Sequence, residues 1–385
     1  MTEAEISLPQ GFRAAGVAAG IKKSGAKDLA LIVNEGPTKF GSAVFTSNAI
    51  VAAPVTWSKQ VVKDGEVTAV LLNSGGANAC TGPEGFADTH ASAEYVADKL
   101  DLSSGDVVIC STGMIGERLP MDRILSGIDL AVSNLDVNTG LSVAEAIMTT
   151  DTHPKYFNGE NRGVKIFGMA KGAGMLAPSL ATMLSVVAID ALPSENMREI
   201  FESVIGETFN RIDSDGCMST NDTVLLMASG ASGVTLSNDE LRSMLFECCE
   251  HLSQALIADA EGHSKIIAIK VVGAESVADA ELVGKSCARN NLLKCAIHGE
   301  DPNWGRVLAA IGTTSAVFDP YSIDVSLNGV MVCKNSAPGE ERSKVDMSDK
   351  RVEILIDLKA GSETATIWTN DLTAEYVHEN SDYSS

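Results

Sequence analysis

Residues 171 to 184 read K-G-A-G-M-L-A-P-S-L-A-T-M-L and run into the apolar stretch S-V-V-A-I. Glycines and a proline precede Thr182, which opens a segment of strand-forming residues. A threonine hydroxyl is a weak nucleophile and works only with a base beside it. Breaking the Ala181–Thr182 bond supplies that base from the same residue, because an α-amine with a pKa of roughly 8 takes a proton near neutrality. The break is an N-to-O acyl shift in which Thr182 Oγ attacks the Ala181 carbonyl and water resolves the ester. Glycines permit the backbone angles that such a strained bond demands. The same residues also fit a plain loop entering a core strand, with Thr182 serving only as a β-former.

An acyl-transfer nucleophile needs an oxyanion hole. After the apolar run 107–109 the chain reads C-S-T-G-M-I-G-E-R, and a Thr-Gly turn at a strand end can aim a hydroxyl and a backbone N–H at one point. Thr112 and Gly113 are the candidates, although such a turn is commonly just a turn. Lys171 is a candidate point charge for a substrate carboxylate. Glu261, in A-E-G-H-S-K, is a candidate for a substrate amine or cation. Both residue types are more often solvated surface groups. Asp222 and Asp301 are candidate orienters, with structural hydrogen bonding as the ordinary alternative. The histidines form no H-E-x-x-H or other ligand pattern, so no metal is expected. Gly284-Lys285-Ser286 ends like a phosphate loop, but Asp279 stands where its first glycine belongs.

These residues need elements to position them. Apolar runs at 29–33, 67–72, 106–111, 164–169, 182–189, 266–272, 323–327, 330–334, 352–358 and 364–369 read as strands. Between them, 88–100, 121–135, 194–211 and 239–260 carry apolar residues at helical spacing. Ser194 and Ser237 mark helix starts, the second as a capping box with Glu240. Asn328-Gly329 is a hairpin signal. Strands and helices do not alternate strictly, which predicts a mixed α+β sandwich rather than a doubly wound parallel sheet.

The chain of 385 residues carries a formal net charge of -22 from 51 acidic and 29 basic residues, a field that repels nucleic acid. Its 45% hydrophobic and 21% charged residues are those of a globular protein, and 5% aromatics predict an aliphatic core. None of the eight cysteines forms a C-x-x-C pair. Cys110, Cys295 and Cys333 lie in apolar runs where a thiol acts as a small hydrophobe. Unpaired cysteines predict a reducing, cytoplasmic setting. No apolar stretch approaches the roughly 18 residues of a membrane span, and the first residues lack a signal-peptide pattern.

Many ordered segments together resemble the ornithine acetyltransferase family of the arginine pathway, also called bifunctional glutamate N-acetyltransferase. They are G-F-R-A-A-G-V-A-A-G-I-K (11–22), A-V-F-T-S-N (43–48), L-N-S-G-G-A-N-A-C-T-G (72–82), S-T-G-M-I-G (111–116) and M-T-T-D-T (148–152). The segment at 171–184, S-T-N-D-T (219–223), E-D-P-N-W-G-R (300–306) and Y-V-H-E-N-S-D-Y-S-S (376–385) complete the series. The resemblance implies a layered α-β-β-α sandwich of the N-terminal-nucleophile kind. It implies self-cleavage between Ala181 and Thr182 into chains 1–181 and 182–385 that stay together as α2β2. It implies transfer of acetyl from N2-acetyl-L-ornithine to L-glutamate through acetyl-Thr182, with no metal or bound cofactor.

The resemblance further makes Thr182 the nucleophile and Thr112 and Gly113 the oxyanion donors. It gives Thr150 or Thr152, Lys171, Thr182, Glu261, Asn380 and Ser385 substrate contacts. Ser385 stands where many relatives carry threonine, and it keeps a hydroxyl. His153 and the run 213–218 depart from the family pattern, away from every residue given a role. No residue decides whether acetyl-CoA also donates. The rival reading is a related N-terminal-nucleophile aminopeptidase or hydrolase, in which water rather than an amine takes the acyl group.

Overall fold

The computed structural model describes residues 6–177 and 183–382, so Ala181, Thr182 and Ser385 lie outside the described residues. The chain divides into two compact units. Unit 1 comprises Met1–Ala173, Ser179–Asn210 and Met218–Leu256, and unit 2 comprises Gly174–Pro178, Arg211–Cys217 and Ile257–Ser385. These units do not follow the 181/182 boundary, because segments of both proposed chains fold into each.

Unit 1 begins β1 (Phe12–Val17), β2 (Leu29–Asn34), β3 (Phe40–Phe45), α1 (Ala53–Val61), β4 (Ala69–Ser74), α2 (Gly82–Leu100), β5 (Val107–Thr112), α3 (Met121–Ser133) and α4 (Gly140–Ala146). It continues through β6 (Lys155–Asn161), β7 (Val164–Lys171), β8 (Leu184–Ile189), α5 (Met197–Glu207), β9 (Thr223–Ala228) and α6 (Asn238–Ala258). One sheet has the order β1-β2-β4-β5 and the other β3-β9-β8-β7-β6.

Side-chain parity shows how the sheets are layered. Ala30, Ile32, Val70 and Leu72 of the first sheet share a core with Phe167, Met169, Leu184, Val186, Leu225 and Met227 of the second. The alternate residues Leu29, Leu31, Leu71 and Ile109 face away from the second sheet and pack on Val96 of α2 and Ile124 and Ile128 of α3. On the far side of the second sheet, Cys248 and Leu252 of α6 lie directly over Gly168 of β7. The layers are therefore helix, sheet, sheet, helix, the expected α-β-β-α sandwich. Strands buried on both faces read as near-continuous apolar runs, as β8 and β9 do, interrupted only by Ser185 and opened by Thr223, with every residue buried. The edge strand β6 (K-Y-F-N-G-E-N) is polar and largely exposed.

Unit 2 contains β10 (Ile266–Ala274), α7 (Val277–Ala288), α8 (Asn291–His298), α9 (Trp304–Ile311), β11 (Asp324–Leu327), β12 (Val330–Lys334), β13 (Ala337–Pro338), β14 (Arg351–Asp357), β15 (Glu363–Asn370) and α10 (Ala374–Asp382). Its sheet has the order β13-β12-β11-β14-β10-β15, with β10 and β14 parallel. Ile267, Ile269, Ile354 and Ile356 bury one face against Val283 of α7, Ile297 of α8 and Val307 of α9. Trp304 packs on this same core.

Local signals were uneven. The β11–β12 hairpin turns at Asn328 and Gly329, whose φ angles of 45° and 82° suit the tight turn that Asn-Gly favours. Ser237 and Glu240 close the capping box, with Ser237 N–H donating to Glu240 Oε2 at 2.9 Å and Glu240 N–H to Ser237 Oγ at 3.3 Å. Ser194 is not a cap: α5 begins at Met197 behind Asn196, and Ser194 Oγ is buried without a partner among the described residues. Cys110 and Cys333 are buried, but Cys295 is exposed, so the third apolar-run thiol is misplaced by the sequence reading. No helix of the described residues is long and apolar enough to cross a membrane.

Candidate active site

The β5 strand ends at Thr112, and the turn beyond it is braced from β4. Ser111 Oγ donates to Asn73 Oδ1 at 2.5 Å, and Asn73 Nδ2 donates to the Gly76 carbonyl at 3.0 Å. Gly76 N–H donates to the Thr112 carbonyl at 3.1 Å and Ala77 N–H to that of Met114 at 3.0 Å. Gly113 has φ of 135°, and a Cβ there would stand 2.6 Å from Gly76 N, so both backbone conformation and space require glycine. The L-N-S-G-G-A-N segment thus holds the S-T-G turn rigid.

Lys171, at the end of β7, is 2% exposed, and its Nζ lies 3.1 Å from Thr112 Oγ1. An ammonium has donors and no acceptor, so Thr112 Oγ1 must accept from it. The hydroxyl proton of Thr112 is then directed to a different partner, which is the orientation an oxyanion donor needs. The two residues are 59 positions apart in sequence.

Asp151, which no motif in the sequence marks out, organises this corner. Its Oδ1 accepts from Lys155 Nζ at 2.6 Å and from Gly172 N–H at 2.7 Å, and its Oδ2 accepts from Thr149 N–H at 2.9 Å. The Lys155 and Asp151 side chains are both fully buried. Burial pushes the Asp151 carboxyl up, but the charges of Lys171 and Lys155 and the hydrogen bonds from Gly172 and Lys155 outweigh it and hold it at about 2. The only sequence signal was an aspartate inside M-T-T-D-T.

A carboxylate held below its unfolded pKa of roughly 3.9 stabilises the fold fully above that pH, and the stabilisation is lost as pH falls towards about 2. Asp151→Asn is expected to lower unfolding free energy near neutrality by about 3–5 kcal/mol, the usual result of stranding a buried charge. About 2 kcal/mol of that should disappear between pH 4 and pH 2. Urea unfolding of both proteins across this range checks it, and a difference independent of pH would assign the loss to packing.

Thr150 and Thr152 flank Asp151 with exposed side chains. Thr152 Oγ1 shares a 2.9 Å hydrogen bond with His153 Nδ1, so His153 touches a site candidate, contrary to the sequence reading. Asp301 is a local orienter only, its Oδ2 accepting from Asn303 Nδ2 at 2.8 Å.

In unit 2, Glu261 Oε2 accepts from Asn380 Nδ2 at 3.0 Å, so α10 brings two of the candidates together. Glu261 lines a cavity of about 240 Å³ with Ser214, Asp215, Lys294, Asp371 and Tyr376. The departing run 213–218 therefore walls the same cavity as Glu261. Burial pushes the Asp215 carboxyl up, and burial pushes the Lys294 ammonium down against the pull of Asp215, Asp213 and Asp371. Arg289 also lines the cavity, so three carboxylates (Asp215, Glu261 and Asp371) face two cations, a small acidic excess that suits a cationic group. Among the described residues no cluster of His, Cys, Asp and Glu could hold a metal ion.

A model of the ArgJ family matches residues 13–385. The arginine biosynthesis bifunctional protein ArgJ of Streptomyces avermitilis is 58% identical over 99% of this chain and 100% of its own length. That of Mycobacterium leprae is 48% identical over 99% of this chain and 96% of its own. Among solved structures, ornithine acetyltransferase complexed with ornithine from Mycobacterium tuberculosis is 47% identical over 47% of this chain and 98% of that chain, with a TM-score of 0.41.

Proposed function

We propose, from the premise that this chain belongs to the ArgJ family, that it moves acetyl from N2-acetyl-L-ornithine to L-glutamate as an acyltransferase of arginine biosynthesis. The near full-length match to the bifunctional relatives carries this reading. The chain cleaves itself between Ala181 and Thr182, giving chains 1–181 and 182–385 that remain associated as α2β2 in the cytoplasm. Thr182 Oγ then attacks the acetyl carbonyl while its α-amine takes the hydroxyl proton. The oxyanion that forms is met by the Thr112 hydroxyl and the Gly113 N–H.

Lys171 supports this reading by holding the Thr112 hydroxyl in a donating orientation. Collapse of the tetrahedral intermediate expels ornithine, leaving acetyl-Thr182, and glutamate reverses the sequence. Glu261 and Asn380, with Ser385 and a threonine at 150 or 152, hold the amino-acid ends of the substrates. The acidic cavity beside Glu261 suits the second amine of ornithine. The cycle calls for no metal or bound cofactor, and acetyl-CoA is a candidate second donor.

Intact mass under denaturing conditions is the first test. Two species of about 19 and 21 kDa are expected, in proportion to 181 and 204 of the 385 residues and the 40.3 kDa total, the larger beginning at Thr182. Acetyl-ornithine with glutamate should then yield ornithine and acetyl-glutamate, and acetyl-CoA in place of acetyl-ornithine reads the second donor. A single 40.3 kDa species overturns the processed nucleophile. Deacetylation that ignores glutamate indicates a hydrolase.

A further inference from the structure

Asp222, in the S-T-N-D-T segment just before β9, is 0% exposed. Its Oδ1 accepts the N–H of Met183 at 3.0 Å. The neighbouring Thr223 N–H donates to the Met183 carbonyl at 3.2 Å, so both polar backbone groups of Met183 are held by consecutive residues. The clamp is anchored from behind: Thr46 N–H donates to the Asp222 carbonyl at 2.9 Å, and Thr46 Oγ1 donates to the Ser219 carbonyl at 2.7 Å. The parallel pairing of β8 with β9 starts one residue later, at Leu184 and Thr223. The carboxyl therefore extends the ladder to the peptide unit whose carbonyl belongs to residue 182.

Asp222 Oδ2 is buried and has no hydrogen-bond partner among the described residues. A buried carboxyl oxygen left without a hydrogen bond loses its hydration with nothing in return. Burial pushes this carboxyl well up, against the Met183 N–H, the charge of Lys171 and, more weakly, the hydroxyl and backbone N–H of Ser219. Oδ1 serves the Met183 N–H, and the second oxygen is left to take a partner of its own. Consecutive backbone nitrogens are roughly 3 Å apart, a span that the two oxygens of one carboxylate can bridge.

We infer that Asp222 is a positioning residue for Thr182: Oδ1 fixes the peptide that follows the nucleophile, and Oδ2 receives the α-amine that cleavage creates. In the acyl-transfer step the Thr182 O–H bond breaks and an N–H bond forms, turning the amine into an ammonium. Asp222 orients that amine and stabilises the positive charge as it appears, as the aspartate of a Ser-His-Asp triad does for its imidazolium. This inference rests on Thr182 being the nucleophile.

The test compares Asp222→Asn and Asp222→Ala with the wild type, by intact mass and by kcat and KM of the cleaved fraction. Asp222→Asn keeps an acceptor for Met183 but offers no charge to the amine. Its cleavage should approach that of the wild type, while kcat falls 10- to 100-fold with KM within twofold, as loss of orientation and charge at a reacting group predicts. Asp222→Ala should also leave more chain uncleaved.

A merely structural Asp222 would lower the melting temperature of both variants and leave kcat of the cleaved fraction at the wild-type value, which overturns the inference. If the alanine variant does not fold, the isosteric asparagine variant decides. A wild type that is uncleaved overturns the proposed nucleophile and this inference together. A cleaved, active wild type beside a fully active Asp222→Asn overturns this inference alone.

Discussion

Thr182→Ala is expected to leave one chain of 40.3 kDa with no measurable acetyl transfer. Both losses have one cause, because the hydroxyl that attacks the Ala181 carbonyl also carries the acetyl group. Removing the nucleophile of an acyl-transfer enzyme costs on the order of 10⁴–10⁶ in kcat. The fold should survive, since Met183 keeps its hydrogen bonds to Asp222 and Thr223 and β8 stays fully buried between its neighbours. Intact mass and a thermal melt read cleavage and folding separately. Thr182→Ser retains a hydroxyl and should retain part of both activities. An alanine variant that is still processed at this bond would remove Thr182 from the mechanism.

The elements most legible in the sequence are those whose signal is local. Val330–Lys334 and the Asn328-Gly329 turn are fixed by strand-forming residues and by turn chemistry. β1 (F-R-A-A-G-V) was not expected as a strand, because alanines and glycine give it no periodic pattern; pairing with β2 makes it one. β6 was missed because an edge strand is polar, and α2 starts at Gly82 rather than Asp88 because its first turn carries Gly and Pro. The polar tail forms α10, whose Asn380 reaches Glu261.

The candidate site divides in the same way. Thr112, Gly113 and Lys171 were singled out by residue type, but the 3.1 Å approach of Lys171 to Thr112 joins the ends of β5 and β7 from different sheets. Pairing of that kind is a tertiary fact with no local signature. Asp151 was overlooked for a related reason: its importance lies in accepting from Lys155, Gly172 and Thr149 together, and a lone aspartate in a threonine run says nothing of that.

Lys171→Met separates two roles for the buried ammonium. As a clamp on a substrate carboxylate, Lys171 would govern substrate affinity, and its loss would raise KM with kcat little changed. Its position against Thr112 Oγ1 predicts the other pattern. Without the ammonium, the Thr112 hydroxyl is free to turn its proton away from the oxyanion, and losing one such donor costs about 10²–10³ in kcat. Asp151 still keeps Lys155 and the Gly172 N–H, so the corner should remain folded. The discriminating measurement is a double-mutant cycle with Thr112→Val. If Lys171 acts through Thr112, the double variant should be hardly slower than either single one, because the second change removes a donor already misdirected. Additive losses would make Lys171 an independent substrate contact, and unchanged kinetics in Lys171→Met would take it out of the site altogether.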